Sequence, residues 1–155
     1  MKNQICCFFG HGDTNTEIRP IIYTEIEKHI LQHNITTFYV GGYGNFDHMS
    51  VAVLKKLKKK YPDIKIILVF AYLPTEKRLE YNANLYDTTL YPEGLETVPQ
   101  RFAIHHRNRW IVEHSDYLIT YVCKSYSGAY EAFQYAKRRG QKITNLAKTS
   151  MRKLQ

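Results

Sequence analysis

Three short segments carry the residue types that a phosphate- or ribose-bearing ligand requires, and each follows an apolar run. The first is Phe9-Gly10-His11-Gly12-Asp13. Its glycines permit close backbone approach, and the N–H groups that open the next helix attract anions. His11 adds ring nitrogens able to bond a phosphate or a ribose hydroxyl. A tight turn needing positive φ would ask for the same glycines. The spacing is not GxGxxG, so a dinucleotide fingerprint is not supported. The second segment, Gly41-Gly42-Tyr43-Gly44-Asn45-Phe46-Asp47, places three glycines in four positions. One turn does not demand that many, and the run predicts a backbone cradle for phosphate or ribose. Asp47 either caps the following helix or turns its carboxylate to the ligand. The third, Ser125-Tyr126-Ser127-Gly128-Ala129-Tyr130-Glu131, sets Ser127 and Gly128 at a helix start, an anion seat. Glu131, one turn inside, either points back to that seat or complements the helix dipole.

A fourth segment, His105-His106-Arg107-Asn108-Arg109-Trp110, falls early in a helix. The planar arginine fork suits two-point contact with phosphate, so Arg107, Asn108 and Arg109 are the expected clamp. The two histidines read as surface residues. Cys6, Cys7 and Cys123 show no CxxC or Cys/His metal spacing. Adjacent Cys6 and Cys7 must point to opposite faces of a strand, and all three read as small buried hydrophobes in a reducing compartment. No metal and no resident cofactor is expected.

The elements that must position these residues alternate. Ile5 to Phe9, Thr36 to Val40, Ile64 to Phe70, Tyr117 to Val122 and Lys142 to Leu146 are strand-length apolar runs. Between them lie helical patterns. Asn15 or Thr16 caps a helix to about His33, with Ile18, Ile22, Ile26 and Ile30 on one face. Asp47 to Lys60 buries Val51, Leu54 and Leu57 and wets its lysines. Further helices run from about Gln100 to His114 and from Ala129 to Arg139. The stretch from about Ala71 to Pro99 has no clear period and reads as a functional lid, a binding loop or an oligomer contact. Strands separated by such helices call for an α/β, Rossmann-like three-layer sandwich with a mostly parallel sheet of about five strands. One domain over residues 5–146 and a basic tail over 147–155 are expected.

A formal net charge of +8 on 155 residues favours phosphate-bearing partners. Much of it sits in Lys55 to Lys60 and Lys137 to Arg139, which read as solvated helix faces or last turns. The 13 tyrosines and 7 phenylalanines suit base stacking or oligomer contacts, and an AT-rich coding sequence would also produce them. No apolar stretch is long enough for a signal peptide or a membrane span, so a cytoplasmic protein is expected.

Taken in order, Cys6-Cys7-Phe8-Phe9-Gly10-His11, the Gly41 to Asp47 run, Arg107-Asn108-Arg109 with Ser115-Asp116, Ser127-Gly128 and Gly140-Gln141-Lys142-Ile143 resemble the SLOG superfamily (Smf/DprA–LOG). The likeness is greatest to its small YpsA-like branch and covers Cys6 to Leu146. The resemblance implies a Rossmann-like sheet, nucleotide-related ligands and homo-oligomers. DprA-like members imply an anion pocket at Arg107, Asn108, Arg109, Ser127 and Gly128. LOG-type hydrolysis of a nucleotide N-glycosidic bond would use Arg107 and a glutamate. Here the aligned position is Ala132, with Glu131 one residue early, and Lys124-Ser125-Tyr126 replaces the PGG motif. The first turn also reads Gly-His-Gly where the branch has Gly-His-Arg. Binding of an ADP-ribose-like or nucleotide signal, as a sensor or sequestering protein in phage defence or counter-defence, ranks first. Phosphoribohydrolase activity ranks second and DprA-like single-stranded DNA binding third.

Overall fold

The alternating side chains of Ile5–Gly10 make the first strand, β1, a divider between two cores. Cys6 and Phe8 pack into one, Cys7 and Phe9 into the other. The computed structural model describes residues 4–147. After β1, Asn15 accepts the Glu17 N–H at 2.9 Å and starts a 3-10 turn, Thr16–Ile18, that feeds α1, Arg19–His33. Next come β2, Thr37–Val40, and α2, Gly44–Lys58. They are followed by β3, Lys65–Val69, α3, Glu76–Ala83, and β4, Thr88–Leu90. Two 3-10 turns lead into α4, Ala103–Glu113, then β5, Tyr117–Tyr121, α5, Gly128–Arg138, and β6, Lys142–Asn145.

The six strands form one all-parallel sheet in the order β4-β3-β2-β1-β5-β6. One face is covered by α1 and α2, whose Ile22, Ile26, Phe46, Leu54 and Leu57 meet Phe8, Phe38 and Ile66. The other is covered by α4 and α5 through Ile111, Val112, Ala132 and Ala136. The chain winds outward from β1 to β4, then crosses back to β5 on the far side of β1. That reversal opens a crevice beyond the C-terminal ends of β1 and β5, where sheets of this kind place ligands.

The expected Rossmann-like sheet of about five strands is borne out with one short strand added, and two expectations, on the start of α2 and on Cys123, need correction. The sheet has six strands where about five were expected, because β4 lies inside the stretch that lacked a period. Its three residues are too short to display an alternation. Long-range pairing fixes β4 instead: Phe70 N–H to Leu90 carbonyl at 2.8 Å, Asp87 N–H to Ile66 carbonyl at 3.0 Å, and Ile66 N–H to the Asp87 carboxylate at 2.8 Å. Helix α2 begins at Gly44, not Asp47, which places Asp47 inside its first turn. Cys123 is exposed, unlike buried Cys6 and Cys7, because it lies past the end of β5. Of the expected tail over 147–155, all beyond Ala147 lies outside the described residues. Among those described, no helix is long and apolar enough to cross a membrane.

Candidate functional site

The first two glycine turns interlock, and packing explains most of their glycines. A Cβ on Gly10 would lie 2.2 Å from Cγ of buried Phe46. One on Gly44 would lie 2.6 Å from the Gly12 Cα, and Gly44 also holds φ at +85°. The Asn45 N–H donates to the Gly12 carbonyl at 2.9 Å, and the Asn45 side-chain amide donates to the Thr14 carbonyl at 3.2 Å. The β1–α1 and β2–α2 turns therefore form one rigid floor.

His11 ties that floor to the β5–α5 turn across the crevice. It is buried, and its Nε2 accepts the backbone N–H groups of Cys123 at 3.1 Å and Lys124 at 3.2 Å. Two donors on Nε2 put the proton on Nδ1, which lies 3.2 Å from the Ser127 hydroxyl. Burial and the Lys124 charge lower the pKa of His11, keeping it neutral. Ser127 and His11 thus resemble a nucleophile–base pair, but the proton is on the wrong nitrogen for His11 to act as a base. Both ring nitrogens of this histidine are engaged by the protein. Ser127 itself sits at φ +132°, a region that favours glycine, and its hydroxyl caps α5 by accepting the Tyr130 N–H at 3.3 Å.

Arg107 reaches the crevice from α4. Its guanidinium is buried and donates through Nη1 to the Val69 carbonyl at 3.0 Å and the Gly41 carbonyl at 3.3 Å. Its Nε donates to Oδ1 of Asn108 at 2.9 Å. That bond fixes the Asn108 amide with its NH2 group near Gly128, 3.5 Å from where a Cβ would stand. Asp47 lies beside Arg107, the two side chains flanking Gly41, and accepts the Tyr43 N–H at 3.2 Å. Burial raises its carboxyl to about 7, against the pull of the Tyr43 N–H, the Arg107 charge and the N–H groups of Gly42 and Gly41. The amides expected to cradle a phosphate therefore face a carboxylate of the protein's own.

Two cavities lie along this sheet edge. The one at the crevice, about 230 Å³, is lined by Gly10, His11, Gly12, Gly44, Asp47, Asn108, Ser127 and Gly128, among others. Its neighbour above β3, about 350 Å³, is walled by Lys55, Leu68, Tyr72, Arg78, Tyr81 and Tyr86. Gly41, Tyr43 and Arg107 belong to both. Gly42 lines the second, where a Cβ would lie 2.9 Å from Leu68. Tyr43 is half exposed, and the Arg107 guanidinium lies 5.9 Å from its ring centre, so this pair partitions the two chambers.

Two expected site residues are elsewhere. Arg109 points away from the crevice, with its guanidinium 4.6 Å from the Tyr135 ring centre and its Nε buried without a hydrogen-bond partner among the described residues. One turn of helix separates residues three or four apart, so neighbours two apart face different ways. Glu131 is exposed and pairs with His105 at 3.0 Å, and it lines neither cavity. Ala132 takes the inward position and is buried in the sheet-facing core. The sequence reading missed Lys55, Arg78 and the wall tyrosines. Lys55 looked like the rest of a solvated lysine run, and Arg78 lies in the stretch without a period. Among the described residues, no cluster of three His, Cys, Asp or Glu side chains could hold a metal ion.

A family model described as the YspA SLOG family matches residues 2–152. No curated protein matches the chain. Among solved structures, DNA processing protein A (DprA) from Streptococcus pneumoniae is similar with a TM-score of 0.66 at 15% identity, over 91% of this chain and 49% of that one. DprA from Helicobacter pylori, whose structure addresses its single-stranded DNA binding mode, gives a TM-score of 0.61 at 15% identity, over 90% and 63%. The Moco carrier protein from Chlamydomonas reinhardtii gives 0.56 at 15% identity, over 94% and 77%. The chain thus spans about half to two thirds of the DprA chains it resembles, and the likeness is one of fold.

Proposed function

The chain belongs to the YspA SLOG family, and for this member we propose binding of a nucleotide-derived small molecule along the two joined cavities. The observation that carries this reading is the shared wall: buried Arg107 and half-exposed Tyr43 line both chambers at the C-terminal edge of the sheet. One chamber offers anion donors, namely the Asn108 amide and the N–H groups of Gly128 and Ala129 at the start of α5, which have no acceptor among the described residues. The other offers the aromatic faces of Tyr72, Tyr81 and Tyr86 beside the cations Lys55 and Arg78. A phosphate at α5 and a base among the tyrosines suit that division. Together the chambers fall in the size range of small-molecule sites, about 300–1,000 Å³.

Calorimetric titration with ADP-ribose, cyclic ADP-ribose variants, NAD and AMP tests the reading. Saturable binding of at least one is expected, and a flat response to all four overturns it. A ligand carried through purification and identified by mass spectrometry would name the molecule that a sensing or sequestering role in phage defence or counter-defence would act on.

A second reading, single-stranded DNA binding, draws on a separate observation. Tyr81 and Tyr126 are 72% and 70% exposed around the cleft, Phe102 is 45% exposed, and the chain carries a net charge of +8. H. pylori DprA is described with a single-stranded DNA binding mode. Stacking platforms beside cations would bind such strands with strong salt dependence. Salt-insensitive, weak affinity for an oligothymidylate counts against it. For N-glycosidic hydrolysis, Glu131 lines neither cavity, and the carboxylate that lines the crevice is Asp47.

A further inference from the structure

Helix α2 opens on amides that already hold an anion. Asp47 is buried, the residue being 9% exposed, and lines the crevice cavity beside Arg107, Asn108 and Gly128. Its Oδ2 accepts the Tyr43 N–H, and the N–H groups of Gly41 and Gly42 are oriented toward the same carboxylate. Its Oδ1 accepts no hydrogen bond from the described residues. Nor does Arg107 close an ion pair with it. The three hydrogen bonds that Arg107 donates go instead to Val69, Gly41 and Asn108. Oδ1 is therefore an open acceptor on the cavity wall, with lone pairs available to a hydrogen-bond donor of the ligand.

Resting on the nucleotide reading above, we propose that Asp47 sets ligand specificity: it accepts hydrogen bonds from a sugar diol and bars a second phosphate from the β2–α2 turn. Hydroxyl groups donate and carry no charge, so they match the acceptor lone pairs of the carboxylate. A phosphate at the same place would meet a like charge inside a cavity of low dielectric, where repulsion is strong. The α5 turn on the other side of the crevice presents amides and Asn108 with no internal carboxylate, so it remains the seat for the one phosphate. The ligand is therefore oriented, with its phosphate against Gly128 and its diol against Asp47. This assigns the chemical class as a nucleoside phosphate bearing a free vicinal diol and no phosphate on that diol.

The test compares AMP, 2′,3′-dideoxy-AMP and adenosine 3′,5′-bisphosphate by calorimetry at pH 8, on the intact protein and on Asp47→Asn. The intact protein is expected to lose on the order of 100-fold in affinity when the diol is absent, and at least as much when it carries phosphate, because a site built to bond a hydroxyl rejects analogues lacking it. Asp47→Asn should bind the three within about a few-fold of one another, since a neutral amide still accepts one bond but no longer repels. Equal affinity of the intact protein for all three overturns the proposal, and that contrast needs no variant, should Asp47→Asn fail to fold. A second arm uses inorganic phosphate alone. The intact protein should take one phosphate, and Asp47→Ala, with its turn amides released, should take two. Two phosphates on the intact protein, or an unchanged count in a folded Asp47→Ala, also overturn it. If no nucleotide binds the intact protein, the nucleotide reading fails separately, and the exclusion of phosphate is decided by the phosphate count.

Discussion

The β2–α2 and β5–α5 turns both follow a parallel strand, both open a helix at the same sheet edge, and both carry glycine. Yet one turns its amides onto Asp47 while the other leaves Gly128 and Ala129 without acceptors among the described residues. The difference lies three residues into each helix. Asp47 is the fourth residue of α2 and folds back onto the turn, as a capping carboxylate does. The corresponding residue of α5, Glu131, turns outward to His105. A glycine-bearing helix start is thus an anion site only where no side chain of the protein has filled it. Arg107 lies between the two turns and is held by backbone carbonyls from the first side and Asn108 from the second.

Removing that divider is expected to have the largest effect. Arg107→Ala strips a buried cation from beside a buried carboxylate and removes its hydrogen bonds to the Val69 and Gly41 carbonyls and to Asn108, at about 1–3 kcal/mol for each buried group left unsatisfied. Denaturant melts of Arg107→Ala and Arg107→Lys, read with nucleotide titrations, check it. The lysine variant should recover much of the stability but little of the binding, because a point charge cannot hold Asn108 and the two carbonyls at once. Full stability in Arg107→Ala would mean that the two turns are not bridged through this side chain.

The filled turn should also make stability depend on pH. Folding lifts the Asp47 carboxyl from its ordinary 3.8 to about 7. The fold therefore prefers the protonated acid. This contribution is fully present below about pH 4, declines as pH rises, and is lost above about pH 7. The span corresponds to about 4 kcal/mol at most. Asp47→Asn stays neutral throughout, so it should be more stable than the intact protein at pH 8 and match it within about 1 kcal/mol near pH 4. Parallel stability curves for the two proteins over this range would show that Asp47 is ionised without penalty, and the contrast with the open turn would lose its electrostatic basis.

How much of this was legible in the sequence differs between the two turns. The alternation of strand and helix, the isoleucine stripe of α1 and the convergence of three turns follow from periodicities of 2 and about 3.6, which local sequence carries. The role of each glycine did not follow. Gly10 and Gly44 are small because another turn, more than thirty residues away, presses on them, and no local pattern encodes that. His11 was expected to contact a ligand, yet its acceptor is consumed by the Cys123 and Lys124 amides. From sequence Asp47 reads equally as cap and as ligand residue, and its burial within one turn of three glycines shows why both alternatives have grounds. Tyr81 and Arg78 stayed hidden because α3 is short and β4 is fixed by pairing across the sheet rather than by its own pattern, and Lys55 because it lies in a lysine run on α2 that reads as solvated.

The open turn can be probed more gently at Ser127. Ser127→Ala removes the cap on Tyr130 and the His11 contact while keeping a strained φ, so a loss of about 1 kcal/mol is expected. Ser127→Gly removes the same bonds but releases the strain, worth about 1–3 kcal/mol, and should come out near neutral or stabilising. Thermal melts separate the two variants. If glycine destabilises as much as alanine, the φ of +132° carries no strain.

The smallest effect is expected at Glu131, although the sequence made it the one candidate for catalysis on this turn. Its carboxylate is 61% exposed and faces His105, itself 38% exposed, across the outer surface of α4 and α5. Exposed pairs of this kind are screened by water and contribute little. Ala132, not Glu131, occupies the position that looks toward the sheet. Glu131→Gln should therefore leave nucleotide affinity within about twofold, the range of a surface change remote from the ligand. Titration of the variant beside the intact protein measures it. A tenfold or greater loss would require the first turn of α5 to rotate toward the crevice when ligand binds. The empty turn would then gain a carboxylate of its own, and the two turns would become alike in the bound state.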